Sequence, residues 1–461
     1  MNGVRATVAA EILLHDLQPR SIERLRFALS YPHPDRSKAI RMRRDPAGLP
    51  LRYECMTERP DGLIAVPRGA VDVVRGALAA DDLRASFEDG RAGGEPIGPL
   101  ALPPHIELRP YQRDGVRALT SKVQGMIVLP CSGGKTILGA GAIVAIGRTT
   151  IVLVNTGDLI DQWVEDVRGL GVEPGIVDDS RKQVDAPIVV ASVFSLAPML
   201  EADPSLGARF GFVILDEAHH APAVTTQRCL RYLPARYRLG LTATPDREDG
   251  HGKLVDWSFG PRLLVKTVKE LVAGGYLLMP TLEVVETDFT FDDVDPEHPK
   301  YLTKMQRALI ADEARNDLIV HRTLWEVQAG ETVLLLSNRK DHCRRLGKML
   351  AKVGVDARVT VSTTKKSARK ANLSDLRSGE TSLVIATSLA DEGLNVKRLS
   401  RIILAFPETA RGRTVQRVGR IMRLFEGKEP KVIDVVDPRV ETLANRAAAR
   451  RRSYRSIGME A

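Results

Sequence analysis

Residues 125–146 read GMIVLPCSGGKTILGAGAIVAI. A short apolar run, a turn with paired glycines, Gly-Lys-Thr and a helix-forming stretch follow one another. That order predicts a strand, a loop and a helix, with the loop at the helix N-terminus. Gly133 and Gly134 lack Cβ, so backbone N–H groups can turn inward around a phosphate, beside Ser132. Lys135 supplies a positive charge for the outer phosphates, and Thr136 a hydroxyl for a magnesium ion. The loop departs from the usual glycine pattern at Leu129, where a glycine is more common.

The same texture extends outward from this stretch. TIVLVNT, APIVVAS, FGFVILDE and YRLGLTAT follow it, and TLEVVETDF, ETVLLLSN, DARVTVS, TSLVIATS, RIILAF and PKVIDVVD recur after residue 278. Continuous apolar runs bounded by turn residues are what strands buried on both faces look like. Their alternation with amphipathic stretches predicts α/β architecture with two tandem parallel sheets, over 101–277 and 278–461. Residues 1–88 are of mixed texture and form a smaller N-terminal domain. Residues 89–100, DGRAGGEPIGPL, read as a Gly- and Pro-rich linker. The tail at 441–455 reads as a basic, Ala-rich helix, either a solvated face or a contact for a phosphate backbone.

Composition narrows the class without choosing a function. In 461 residues, 43% are apolar and 27% charged, which excludes a disordered chain. No apolar run approaches the ~18 residues of a spanning helix. The first residues are a poor signal peptide, because Glu11 interrupts their apolar stretch. A cytoplasmic protein is therefore expected. Cys55, Cys131, Cys229 and Cys343 form no C-x-x-C pair, so a zinc site is not expected. Cys131 beside the phosphate loop reads as a small residue in a tight turn. The net charge of +9 permits a polyanionic partner.

The remaining candidates lie where buried strands end. FVILDEAHH, residues 212–220, places Asp216 and Glu217 at a strand's carboxyl end, where ligand crevices of parallel sheets lie. Asp216 is placed to hold the metal ion and Glu217 to polarise an attacking water. Upstream, LRPYQRDGV carries Arg109 and Gln112, and the Gln112 amide matches both edges of adenine. Downstream, Thr242 and Thr244 in GLTATPDREDG are placed to couple the nucleotide site to the second domain. In that domain, VIATSLADEGLNV ends a strand in a polar loop with Gly393, and QRVGRIMR carries Gln416, Arg420 and Arg423. Arg420 and Arg423, three apart, share one face of a helix. Two guanidiniums there suit the charge that develops on a γ-phosphate.

These strings, in this order, resemble the superfamily 2 helicases over residues 109–438, and within them the XPB/Ssl2 branch and phage relatives of the UvsW type. The segments that carry the likeness are LPCSGGKT, NTGDLIDQW, DEAHH, RLGLTATPDREDG and QRVGRIMR. The resemblance implies two RecA-like domains, ATP and Mg²⁺ as cofactors, and ATP-dependent translocation on or unwinding of DNA. It assigns His219 to coupling and Arg247-Glu248-Asp249 to the duplex fork. Asn155, Gln162, Ser192, Ser337 and Thr387 fall where this family meets nucleic acid. Asn395 stands where Asp is commoner. Residues 1–88 carry no recognised likeness; by position, and by RSKAIRMRR at 36–44, they are a candidate DNA-recognition module. Duplex, forked or branched DNA is the expected partner, with one strand tracked. Three alternatives are a duplex translocase that never separates strands, an RNA helicase, and an ATP-gated binding scaffold without turnover.

Overall fold

The computed structural model describes residues 3–41, 45–244, 250–293, 295, 297–387, 396–408 and 411–460. The chain divides into two compact units, one of residues 1–129 and 134–265, the other of residues 130–133 and 266–461.

The first unit begins with a five-stranded sheet ordered Thr57–Glu58, Ile64–Pro67, Glu11–Leu14, Gly3–Val8, Arg84–Asp89. Its last pair is parallel and the others antiparallel. In Gly3–Val8, Val4 and Ala6 turn inward while Gly3 and Arg5 face solvent, the period-two alternation of a sheet covered on one side. Helices Pro19–Ala28 and Val71–Ala79 contribute Leu25, Val74 and Leu78 to the core beneath it.

Two buried arginines fasten this module to the sheet that follows. Arg68 donates to Gln124 Oε1 (2.6 Å) and to the carbonyls of Ala235 and Arg236. Arg238 donates to Ala10 O (3.0 Å), and to Leu230 and Leu233 O, from the opposite side. The Gly- and Pro-rich segment after Asp89 lies against the same unit. Ala92 bridges to Ala235 and Pro96 to Arg148, and Gly94 meets Gly211 so closely that a Cβ would collide with backbone. Gly/Pro composition here marks close backbone approach, and the segment is a strap.

The larger sheet of this unit has seven strands, all paired in parallel. They run in the order Gly175–Val177, Ile188–Ser192, Thr150–Val154, Phe212–Asp216, Tyr237–Thr242, Gln124–Val128, Arg262–Val265. Thr150–Val154 and Phe212–Asp216 are buried at every position, as their unbroken apolar runs require. All carboxyl ends share one edge. The phosphate loop leaves the sheet there, with Leu129 N–H donating to Thr242 O (3.0 Å).

The second unit is built on six parallel strands ordered Thr281–Glu286, Lys431–Val436, Arg401–Leu404, Val333–Leu336, Leu383–Ala386, Arg358–Thr360. It starts upstream of the expected boundary at 277, because helix Val268–Ala273 and the turn after it join this unit; Leu278 N–H donates to Met422 O (2.7 Å). The C-terminal helix Glu441–Ser456 is basic as expected, but its faces differ. Arg450 and Tyr454 are buried on Asp434, whereas Arg451, Arg452 and Arg455 are exposed. No helix among the described residues is long and apolar enough to cross a membrane.

Candidate nucleotide site

The loop between strand Gln124–Val128 and helix Lys135–Ile146 is held in a shape that needs glycine at one point. Gly134, which caps that helix, has φ +79°, and a Cβ there would run into Gln112 Nε2. Ser132 also lies in the left-handed region, at φ +64°. Gly133 N–H donates to Pro130 O (3.0 Å). A turn with two left-handed residues at a helix N-terminus presents backbone N–H groups to an anion.

Gln112 supports the loop from below. It is 2% exposed; its Nε2 donates to Gly134 O (3.0 Å) and its Oε1 accepts from Arg109 N–H (2.8 Å). Arg109 in turn donates to Tyr111 Oη (3.0 Å). The Gln112 amide thus uses one N–H and one oxygen lone pair within the protein, bracing the loop against the helix cap. The physical reason is local: Gln112 is the third residue of helix Pro110–Lys122, where a side chain reaches back to the cap.

Lys135 Nζ lies 3.9 Å from Glu217 Oε1 and 3.5 Å from Leu129 O. The acidic pair is positioned by the end of strand Phe212–Asp216. Glu217 takes φ +51°, turning the chain at this point, and the Lys135 charge acts on both carboxyls. Asp216, 3% exposed, accepts from Trp163 Nε1 at Oδ2 (2.9 Å) and from Glu217 N–H at Oδ1 (2.8 Å). Burial pushes Asp216 up to about 6, and the Glu217 charge adds to this. At Glu217 burial pushes the same way, but Lys135 and His219 overcome it and hold that carboxyl low. Of the pair, Glu217 is the more readily ionised. His219 Nδ1 lies 3.3 Å from Glu217 Oε2 and 3.2 Å from Thr242 Oγ1, and Thr244 N–H donates to that same hydroxyl (3.2 Å). His219, Thr242 and Thr244 thus form one hydrogen-bonded path beside the acidic pair.

Thr136 and Asp216 fit a magnesium ion by donor chemistry: a hydroxyl and a carboxylate are hard oxygen donors, the type this cation takes. Two residues not expected here hold them. Gln162 Nε2 donates to Thr136 Oγ1 (2.9 Å), and Trp163 to Asp216 as above. Gln162 was expected to meet nucleic acid; its amide is turned to the phosphate-loop helix instead. The one trace in the sequence is Gly139, where a Cβ would stand 2.5 Å from Trp163 Cη2.

The other expected contacts separate in the same way. Asn155, at the end of its strand, is half-buried, and among the described residues its Nδ2 has no partner. Ser192 caps helix Val193–Ala202 without a side-chain hydrogen bond. Ser337 is 2% exposed, its hydroxyl 2.9 Å from His342 Nδ1, whose Nε2 meets Asn316 Oδ1 (2.9 Å); it serves a buried relay and does not face solvent. Thr387 is 5% exposed, its N–H donating to Thr360 O (3.2 Å). Arg247, Glu248, Asp249, Gly393 and Asn395 lie outside the described residues.

Helix Arg411–Ile421 carries Gln416 and Arg420, both partly exposed, and is anchored by Arg417 on Glu408 (2.5 Å). The helix ends at Ile421, so Arg423 stands in the turn beyond it. The shared helical face expected for Arg420 and Arg423 is corrected accordingly. The two charges are nonetheless close. Burial, and then repulsion from Arg420, lower Arg423 to about 10.

Residues 105–247 match the family described as the res subunit of type III restriction enzymes, and residues 314–425 the helicase conserved C-terminal domain. The DNA 3'-5' translocase XPB2 of Sulfurisphaera tokodaii is 28% identical over 72% of this chain and 82% of its own length. The DNA 3'-5' helicase XPB of Mycobacterium tuberculosis is 28% identical over 75% of this chain, which spans 62% of that protein. Among solved structures, S. cerevisiae Dbp5 bound to RNA and ADP BeF3 aligns with a TM-score of 0.55 at 15% identity, over 76% of this chain and 93% of that one. That likeness establishes the fold: tandem RecA-like lobes.

Proposed function

The chain belongs to the superfamily 2 helicases of the XPB-like kind, and on that premise we propose that it hydrolyses ATP to drive movement along DNA, opening or remodelling the duplex. The observation that carries this reading is the Lys135–Glu217–His219–Thr242–Thr244 path. It joins a phosphate-binding lysine to a charged carboxylate, and that carboxylate to the end of strand Tyr237–Thr242 and the residues after it. A change in charge beside Lys135 is felt at Glu217, and through His219 at Thr242.

Each residue's part follows from its chemistry. The backbone of residues 132–134 and Lys135 bind the phosphates. Thr136 and Asp216 would hold Mg²⁺, which when bound supplies positive charge to the phosphate oxygens. Glu217, ionised and held by Lys135 and His219, accepts a hydrogen bond from the attacking water and takes its proton. Gln416, Arg420 and Arg423 are assigned to the charge that develops on the transferred phosphoryl group. Asn155, Ser192 and Thr387 are assigned to the phosphate backbone, where contacts carry little sequence information and weaken with salt. The N-terminal module is assigned to DNA recognition on its basic segment 36–44.

Phosphate release measured with single-stranded, duplex, forked and branched DNA, and with RNA as a control, tests the proposal. Stimulation by DNA forms and not by RNA is expected. Stimulation by RNA alone would make the chain an RNA motor, and no turnover with any polymer would leave only the scaffold reading. A strand-displacement assay separates unwinding from duplex translocation.

A further inference from the structure

Gln162 and Trp163 are consecutive residues of helix Gly157–Gly169, and each directs a side-chain N–H to a different ligand of the magnesium ion assigned above. We propose that this dipeptide is the positioning element of the metal site, setting the Thr136 hydroxyl and the Asp216 carboxylate at the same time; the inference rests on the Mg²⁺–ATP reading of the loop.

The hydrogen-bond inventory supports it. Thr136 Oγ1 has two lone pairs and one hydrogen. A donation from Gln162 Nε2 occupies one lone pair, leaving the other for a cation and the hydrogen free to donate. Asp216 accepts one N–H at each oxygen, from Trp163 at Oδ2 and from Glu217 at Oδ1, so its plane is fixed and each oxygen keeps a lone pair. An indole N–H is a donor only and has no second tautomer, so it can do nothing at this point but hold an acceptor. Its ring is immobile: Trp163 is 0% exposed, and Gly139 lets it lie directly on the helix that begins with Lys135 and Thr136. The helix carrying the dipeptide is itself fixed at its start, where Thr156 caps Leu159 N–H (3.4 Å). Successive side chains on a helix diverge by about 100°, which is how adjacent residues reach two different elements. Outer-shell donors of this kind tune metal affinity by about 10- to 100-fold.

The test compares binding of a fluorescent ATP analogue in excess Mg²⁺ and in EDTA, for the wild type, Gln162→Leu and Trp163→Phe. The expected result is a drop of about tenfold in the Mg²⁺ enhancement, with affinity in EDTA within about twofold of wild type. The free-Mg²⁺ midpoint should rise by a similar factor. A role confined to packing would weaken binding equally in both media, and that result, or an unchanged enhancement in a folded Gln162→Leu, overturns the inference. Gln162 is only half-buried, so this variant carries the test if Trp163→Phe does not fold. If the wild type itself shows no Mg²⁺ enhancement, the underlying Mg²⁺–ATP reading fails as well.

Discussion

Replacing Gly134 by alanine puts a number on how tightly the phosphate loop is held. Two costs can be read from the structure. An L-residue at φ +79° pays about 1–2 kcal/mol. The new Cβ also takes the place of Gln112 Nε2, which must withdraw from Gly134 O and carry Oε1 away from Arg109 N–H. At about 1 kcal/mol for each hydrogen bond, that adds roughly 2 kcal/mol. The total, about 3–4 kcal/mol, appears wherever the loop is forced into its present shape. If the variant keeps that shape, the whole cost appears as lost stability. If the loop relaxes, nucleotide must drive it back, and affinity falls by up to a few hundredfold, at 1.4 kcal/mol per factor of ten. The assay is therefore paired, nucleotide titration together with chemical denaturation, and the two losses should sum to the strain. Gly147→Ala is the control. Gly147 ends the same helix at φ +60° with open space around it, so it should lose about 1 kcal/mol of stability and no nucleotide affinity. A Gly134→Ala protein with unchanged affinity and unchanged stability would refute the reasoning.

Glu217→Gln should lower ATP turnover by about 10²- to 10⁴-fold while nucleotide still binds; normal hydrolysis would remove Glu217 from its role. Arg420→Ala should lose DNA-stimulated hydrolysis, and unchanged stimulation in a phosphate-release assay would mean that this arginine does not serve the site. His342 supplies a pH test. Burial, then repulsion from Arg315 and Arg345, lower it from 6.5 to about 3, so the folded chain keeps it neutral. Below pH 6.5 the unfolded state binds the extra proton, and stability falls with acidification down to about pH 3, by up to about 1.4 kcal/mol per pH unit. His342→Asn should flatten that slope between pH 6 and 4 in denaturation experiments; an unchanged slope would contradict the assignment.

The parallel sheets were legible because burial on both faces leaves unbroken apolar runs, and each such run became a strand. Two strands were not anticipated. Gly175–Val177 is only three residues long, and Arg262–Val265 is an edge strand that is half exposed, so neither leaves a distinctive run. In the site, Gly134, Lys135, Asp216 and Glu217 were readable because their placement follows from the local turn from strand to helix. Gln112, Gln162 and Ser337 stand out in the sequence as candidates, but the direction of each side chain was not readable. That direction depends on Gly134, Thr136 and His342, partners that only the fold brings alongside. Arg423 differs again: spacing of three implies one face only while the helix lasts, and it stops at Ile421.

The arginine fastening of the N-terminal module bears on how its contribution can be studied. Cutting the chain ahead of the large sheet would strip Arg238 of an acceptor at Ala10 and leave the carbonyls of Ala235 and Arg236 facing a void once filled by Arg68. A shortened protein would then report damage to the ATP-binding lobe as though it were loss of DNA recognition. Charge reversals on the module's outer helix, at Lys38 for example, leave those anchors in place and ask the question cleanly.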